Sequence, residues 1–248
     1  MLQKAVLESL VDGVDFIYGL PNTKALPVFK RLGYQGPIQL VRLVKVLQTE
    51  KYLDLPKPVR RIAGMAGDLV LRAVSSETWM PHRGRTVVEL TNLNEQLDDL
   101  WQRVASQFLV VCRRKSKFVQ WRYAQFPLVR YTILGLVRDD GKRLDGYAVC
   151  HLEDTGQVAL TDFIAADDES ADDLLTALIR WARANHASSI GCEFMNLPQF
   201  ENRLHRFGFK RRTSTAGLVA HFSEELKGQR GTELIQDWSF LAGDMGYL

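Results

Sequence analysis

The chain has 248 residues, 46% apolar and 25% charged, enough for one large domain or two small ones around a buried core. Its net charge of +3 carries no inference about partners, and no stretch approaches the roughly 18 uninterrupted apolar residues of a membrane span. Glu8 and Asp12 make the N-terminus a poor secretory signal, and three dispersed cysteines (Cys112, Cys150, Cys192) argue against a disulfide framework and for a reducing, cytoplasmic setting.

In chain order, LQKAVLESLV places Leu2, Val6 and Leu10 on one helical face, and Gly13 stops it. VDFIYGL is a short buried strand. NTKALPVFKRLG is a short helix with Asn22 as N-cap and Gly33 as its stop, and IQLVRLVKVL is a sheet strand. The proline-started run from Leu55 to Trp79 is a connecting helix, and MPHRGR is a loop. TVVELTN is a strand, and NEQLDDLWQRVASQF an amphipathic helix with Leu97, Leu100, Trp101 and Val104 on one side. From Tyr131 to Ala165 the sequence reads as a three-strand meander, broken at Asp140-Gly141 and Thr155-Gly156. SADDLLTALIRWARANHA is a helix with Ser170 as N-cap and Asp173 closing a capping box. SIGCEFMN is a strand, LPQFENRLHRFG a helix, and FKRRTSTAGLVAHF and DWSFLAGDMGYL are strands. FKRLGY and LHRFGF put Gly33 and Gly208 in matching positions 175 residues apart, which reads as an internal repeat.

Charge is unevenly spread. Leu100 to Arg138 holds eight basic residues and no acid, and Glu153 to Asp173 eight acids and no base. Two faces that attract each other, within the fold or across a homodimer, is the simpler reading. A basic surface for nucleic acid is the sharper one.

The order of elements over residues 86–248, with Asn196 after the fifth strand and RFGF after the last helix, resembles the GNAT acyltransferase superfamily. WRYAQFP (Trp121 to Pro127) and the terminal DWSFLAGDMGY look like bacterial tandem-GNAT proteins, to which the Fem ligases are a related two-domain arrangement. Residues 1–50 resemble only the back half of another such domain, and residues 51–85 connect the two. The resemblance implies an α/β (α+β) fold: a mixed, mostly antiparallel sheet flanked by helices, plus an N-terminal half-unit. It also implies N-acyltransferase chemistry with acetyl-CoA or another acyl-CoA as donor.

In such a fold the donor's pyrophosphate lies on a glycine-rich turn at the start of the third helix. Here that turn is Ala166, Asp167, Asp168, Glu169, Ser170 and Ala171, which has no glycine or arginine. Its acids, with Asp172 and Asp173, cap the helix themselves and repel a pyrophosphate by on the order of 1 kcal/mol each. The proton donor that the family takes from a tyrosine four residues before the Gly-aromatic pair is missing too, because Phe29 and Leu204 stand there. Tyr34 and Phe209 are core aromatics. Cys150 and His151 are strand neighbours with side chains on opposite faces, and His186 and His205 are structural. Glu193 is the candidate general base, with Glu153 and Asp162 beside it on the sheet. Trp121, Arg122 and Tyr123 are substrate-side candidates or the packing segment before the meander. Asp244 caps a turn or lines the cleft. No metal site is expected, and no cofactor beyond the acyl-CoA of the resemblance.

The reading is a GNAT-like domain degenerate at its acyl-CoA site that binds a small-molecule or amine acceptor, with no membrane partner. The alternatives are an acyltransferase with an atypical donor (aminoacyl-tRNA or an acyl carrier), gripped by the basic run, and a structural dimerisation module. The VDFIYGL strand, with one neighbour missing, is expected to dock beside SIGCEFM or against another copy.

Overall fold

A computed structural model describes residues 16–80, 84–108, 111–138, 141, 143–214, 216–223 and 238–245. The helix expected over residues 2–10 lies outside them. The N-terminal segment forms β1 (Phe16–Gly19), α1 (Leu26–Arg31), β2 (Gln35–Gln39) and β3 (Val41–Val46). The N-cap of α1 is Ala25 rather than the expected Asn22, which closes the turn just before the helix, its Oδ1 accepting from the Lys24 and Ala25 N–H groups at 3.1 and 2.9 Å. The connection holds α2 (Lys57–Ala73) and α3 (Ser76–Trp79). Then come β4 (Arg85–Glu89), α4 (Glu95–Val104) and α5 (Ser116–Val119), which runs into a π-helical turn over Gln120–Ala124. The meander is β5 (Thr132–Arg138), β6 (Leu144–Leu152) and β7 (Gln157–Ala165). The chain continues through α6 (Asp168–Ala184), β8 (Ser189–Met195), α7 (Pro198–Arg206), β9 (Lys210–Arg212), β10 (Gly217–Phe222) and β11 (Phe240–Leu241).

The main sheet has the order β4-β5-β6-β7-β8-β3-β9, with β11 also pairing β8, and only the β7–β8 pair is parallel. A second sheet has the order β1-β10-β2. The expected single strand IQLVRLVKVL is therefore two strands that part at Leu40 into different sheets. β3 lies between β8 and β9, and β10 lies between β1 and β2. Each end of the chain thus lends a strand to the other's sheet. VDFIYGL does not sit beside SIGCEFM: β1 pairs β10, with Phe16 opposite Phe222, and β3 takes the place beside β8, with Val41 opposite Phe194. β1 keeps one strand neighbour, β10, and stands at the edge of the small sheet.

Alternation along the strands divides the core. On one face of the main sheet Leu43, Leu134, Ala148 and Cys150 pack under α6 and α7, with Leu174, Leu178 and Phe209. On the other, Ile133, Tyr147 and Val149 meet Leu100, Trp101 and Val104 of α4. A third cluster joins the small sheet to the tail through Phe222, Trp238 and Phe240. The two glycines of the repeat share their geometry. Gly33 and Gly208 have φ of +84° and +83°, and the next N–H groups, of Tyr34 and Phe209, return to the carbonyls of Phe29 and Leu204 at 3.1 and 3.0 Å. Both are helix stops that need a positive φ, which glycine adopts without strain.

Asp145 on β6 ties several elements together. Its enclosed carboxylate meets Arg138 and Arg143 at 2.8 Å, Arg103 of α4 at 3.2 Å and Arg85 of β4 at 3.5 Å. Burial by itself would raise its pKa, but hydrogen bonding and charge from Arg138, with Arg143 and Arg103, hold it below the usual carboxylate range. Because the folded-state pKa is depressed, this stabilisation is complete at neutral pH and is lost as pH falls through that depressed value. Asp145→Asn is expected to lower stability at neutral pH by about 2 kcal/mol, discounted because Arg138 and Arg143 reach solvent. Urea unfolding should show the gap to the parent protein shrinking in acid.

Candidate functional site

β7 and β8 pair from Gln157 opposite Ser189 to Leu160 opposite Cys192. Both strands continue past that point, to Ala165 and Met195, and there they separate. The opening between them is the place where a parallel pair exposes backbone to a ligand. Two features fill or guard it.

The first is the tail. β11 adds to β8 inside the opening, with Phe240 opposite Met195 and Leu241 opposite Phe194, and a 3-10 turn over Ala242–Asp244 follows against β7. The fit is close. A Cβ on Gly243 would lie 1.9 Å from the Tyr123 hydroxyl and 3.2 Å from the Thr161 carbonyl oxygen, so only glycine passes. Arg122 donates to the Gly243 and Met245 carbonyls at 3.0 and 2.8 Å, and the Tyr18 hydroxyl donates to the Asp244 carbonyl at 3.0 Å. Beneath lies a buried charge cluster. Arg114 meets Asp244 at 2.6 Å and Asp162 at 3.3 Å, and donates to the Cys112 carbonyl at 2.7 Å. Tyr123 and Tyr147 donate to Asp162 at 3.0 and 3.2 Å. Burial would lower the Arg114 pKa, but Asp162 and Asp244 hold it well above the usual guanidinium value. Burial, and then the Asp162 charge, push both phenols well above theirs, so they stay protonated donors.

The second is the entrance of α6. The helix begins three residues before the position that a Ser170 cap would give, and Asp167 rather than Ser170 is its cap: Asp167 Oδ1 accepts from the Ser170 N–H at 2.7 Å. An ionised carboxylate competes better than a hydroxyl for the helix N–H groups, and Ser170 is left buried in the first turn. Burial tends to raise the Asp167 carboxyl, but Ser170 and Arg85 hold it below the ordinary range. Arg85 also reaches Asp173 at 3.0 Å and Glu169 at 3.8 Å, while Arg203 binds Asp168 and lies 3.5 Å from Asp172. The acids at the entrance are thus paired with arginines from β4 and α7. The cleft outside measures about 520 Å³, between Phe163, Ala171, Leu197, Phe200, Arg203 and Leu241.

A second cavity of about 390 Å³ lies on the far side of the tail, on the sheet face that carries α5. Leu241 lines the first cleft and Ala242 the second, so the tail is the wall between them. Glu193 opens into this cavity, 3.7 Å from Arg42, with Glu153, His151 and Tyr131 around it. Burial raises the Glu193 carboxyl, with Arg42 opposing and Glu153 adding to the shift. Burial lowers the His151 imidazole against the pull of Glu153, and His151 Nδ1 is buried without a hydrogen-bond partner. Cys150, on the opposite face, is pushed up to about 12 by burial and is an inert core thiol.

Trp121, Arg122 and Tyr123 do not converge on one ligand. Trp121 is exposed, Arg122 clamps the tail, and Tyr123 is buried on Asp162. Of the basic run, Arg103 and Arg138 go to Asp145, Arg114 to the buried cluster and Arg122 to the tail. The basic and acidic runs meet in the pair Arg114–Asp162, while the acids around α6 take partners from outside the basic run. Sequence reasoning missed Arg114 because a guanidinium inside a basic stretch carries no mark of burial.

No protein-family model matches the chain, and no curated protein matches it by sequence. By structure it is similar to a probable N-acyltransferase from Enterococcus faecalis V583, with TM-score 0.55 and 11% identity over 89% of this chain and 48% of that one. It is similar to a GCN5-related N-acetyltransferase from Anabaena variabilis ATCC 29413, with TM-score 0.55 and 11% identity over 89% and 49%. A third likeness is to Saccharomyces cerevisiae N-myristoyltransferase with bound myristoyl-CoA, with TM-score 0.50 and 12% identity over 75% and 50%. The chain therefore has the GNAT fold, a mostly antiparallel sheet flanked by helices, and it spans about half the length of these structures.

Replacing Arg114 with methionine leaves Asp162 and Asp244 facing each other without a cation. The expected cost is about 3 to 5 kcal/mol. Limited proteolysis of Arg114→Met should cut near Trp238–Met245 before the sheet unfolds, whereas Arg130→Met, an exposed member of the same run, should behave as the parent protein does.

Proposed function

We propose that this chain is the acceptor-binding half of a two-lobed N-acyltransferase of the GNAT fold. It holds an amine-bearing small molecule in the Glu193 cavity and takes no acyl-CoA in its own β7–β8 opening. The observation that carries this reading is the tail strand seated between β7 and β8, where a thioester arm would have to run.

The α6 entrance agrees with it. Asp167 occupies the Ser170 N–H, and the nearby arginines Arg85 and Arg203 already have carboxylate partners, so an incoming pyrophosphate meets carboxylates rather than unpaired arginines. The residues present do not fit a CoA diphosphate. The Glu193 cavity offers the opposite chemistry. Two carboxylates, Glu153 and Glu193, can meet an ammonium group, although Arg42 and the tail-bound Arg122 also line the cavity, and an imidazole with a free ring nitrogen stands beside them. An acyl acceptor must lose a proton to become nucleophilic, and a carboxylate with a raised pKa is a better base than an exposed one. Arg42 limits that rise and orients Glu193 across the cavity.

The basic run counts against an aminoacyl-tRNA donor, since four of its eight basic residues are used inside the fold. Calorimetry checks the proposal directly. Acetyl-CoA should give no binding isotherm, while a panel of primary amines (spermidine, glucosamine, lysine) should yield a ligand whose affinity falls about tenfold in Glu193→Gln, the loss of one charge-assisted contact. Micromolar acetyl-CoA binding, or amine binding indifferent to Glu193→Gln, would overturn it.

A further inference from the structure

The helix α2 is turned inside out. Its small and polar side faces the protein: Gly64 and Gly67 lie against Glu50 and Thr49, and Asp68 accepts from the Thr49 N–H at 2.6 Å and the Thr49 hydroxyl at 3.0 Å. Its apolar side faces out. Ile62, Met65 and Leu69 are 72%, 67% and 70% exposed, and Val59, Val70 and Val74 extend the patch. These positions recur at helical spacing, so they form one stripe rather than scattered contacts. Trp79 continues it past the C-terminal end. Its indole N–H donates to the Ala73 carbonyl at 2.8 Å, which leaves the apolar ring in the open.

The orientation is fixed by close packing. A Cβ at Gly64 would come within 2.8 Å of the Glu50 Cβ, and one at Gly67 within 2.6 Å of the Thr49 hydroxyl, so no side chain from the outer face can rotate into that contact. The charge around the stripe has one sign. α2 carries Lys57, Arg60, Arg61 and Arg72 against the single acid Asp68, and Asp68 is turned inward on Thr49. Arg60 leans inward to Glu50 at 3.7 Å, while Lys57, Arg61 and Arg72 are exposed beside the stripe.

We propose that this face is a docking surface for an anionic lipid bilayer, with α2 lying in the interface plane. An apolar stripe flanked by lysine and arginine, with a tryptophan at one end, meets both demands of such a surface: acyl chains for the stripe and lipid phosphates for the flanks. A second copy of the chain fits less well, because the outward face has no acid to meet the partner's Arg61 and Arg72. The surface is well placed for it. α2 follows the end of β3 that pairs Ser189, whereas the β1-β10-β2 sheet adjoins the end of β3 that pairs Phe194. Among the described residues no helix is long and apolar enough to cross a membrane, but a helix that lies on the surface needs no such length. This departs from the expectation of no membrane partner, which rested on the lack of a long apolar run.

Vesicle co-sedimentation of the full chain tests the proposal. The protein should pellet with vesicles of phosphatidylcholine and phosphatidylglycerol and stay in solution with phosphatidylcholine alone. Ile62→Ser with Leu69→Ser should weaken pelleting about tenfold, and Arg61→Glu with Arg72→Glu should do the same. All four side chains are solvent-exposed, and an unchanged circular dichroism melt will confirm that the variants fold. Failure to bind the anionic vesicles, or binding unmoved by both double variants, would overturn the proposal. So would a concentration-dependent dimer that the Ile62→Ser, Leu69→Ser variant abolishes, since the stripe would then belong to a second copy.

Discussion

One guanidinium group organises the centre of this molecule. Arg114 is almost wholly buried, and a charge in that position is tolerated only with close, well-oriented counter-charges. It has two, and they come from distant parts of the chain: Asp162 from the middle of β7 and Asp244 from the tail. Satisfying Arg114 draws the tail into the gap between β7 and β8. Once there, the tail completes the edge of β8, bears on the small sheet through Trp238 and Phe240, and divides the interior into two cavities.

That division is where the fold's usual economy is altered. A GNAT sheet opens between its two parallel strands, and the chemistry performed there is a matter of the residues lining the opening rather than of the fold. Here the opening holds backbone from the same chain, and the helix entrance above it holds carboxylates, one of which, Asp167, is bonded to the helix's own Ser170 N–H. The remaining polar, partly unsatisfied space lies behind the tail around Glu193, His151 and Glu153. The structural neighbours are about twice as long as this chain.

Much of the local architecture was legible in the sequence. The meander turns, the amphipathic helices and the matching glycine stops at Gly33 and Gly208 followed from backbone conformation and period, which are local properties. The exchange of strands was not legible. VRLVKV alternates as any half-buried strand does, and alternation reports which face is buried but not which sheet receives the strand. The start of α6 was misplaced because DDES offers several caps in succession, and the choice between Asp167 and Ser170 depends on how the preceding strand delivers the chain. Arg122 was read as a substrate-side or packing residue and Arg114 only as part of the basic run, because their partners in the tail lie more than a hundred residues away in sequence. Of the candidate site, the acid-rich entrance of α6 and the carboxylate of Glu193 on a sheet strand came from residue type. The pairing of those acids with Arg85 and Arg203, and the wall made by Leu241 and Ala242, required the structure.

The central claim is that the tail is a fixed part of the sheet and not a segment that a thioester ligand displaces. Amide hydrogen exchange at Leu241, whose N–H donates to Asp244, reports on this directly. The account predicts protection comparable to that of the β8 amides and unchanged by saturating acetyl-CoA. Rapid exchange at Leu241, or protection lost when acetyl-CoA is added, would contradict it.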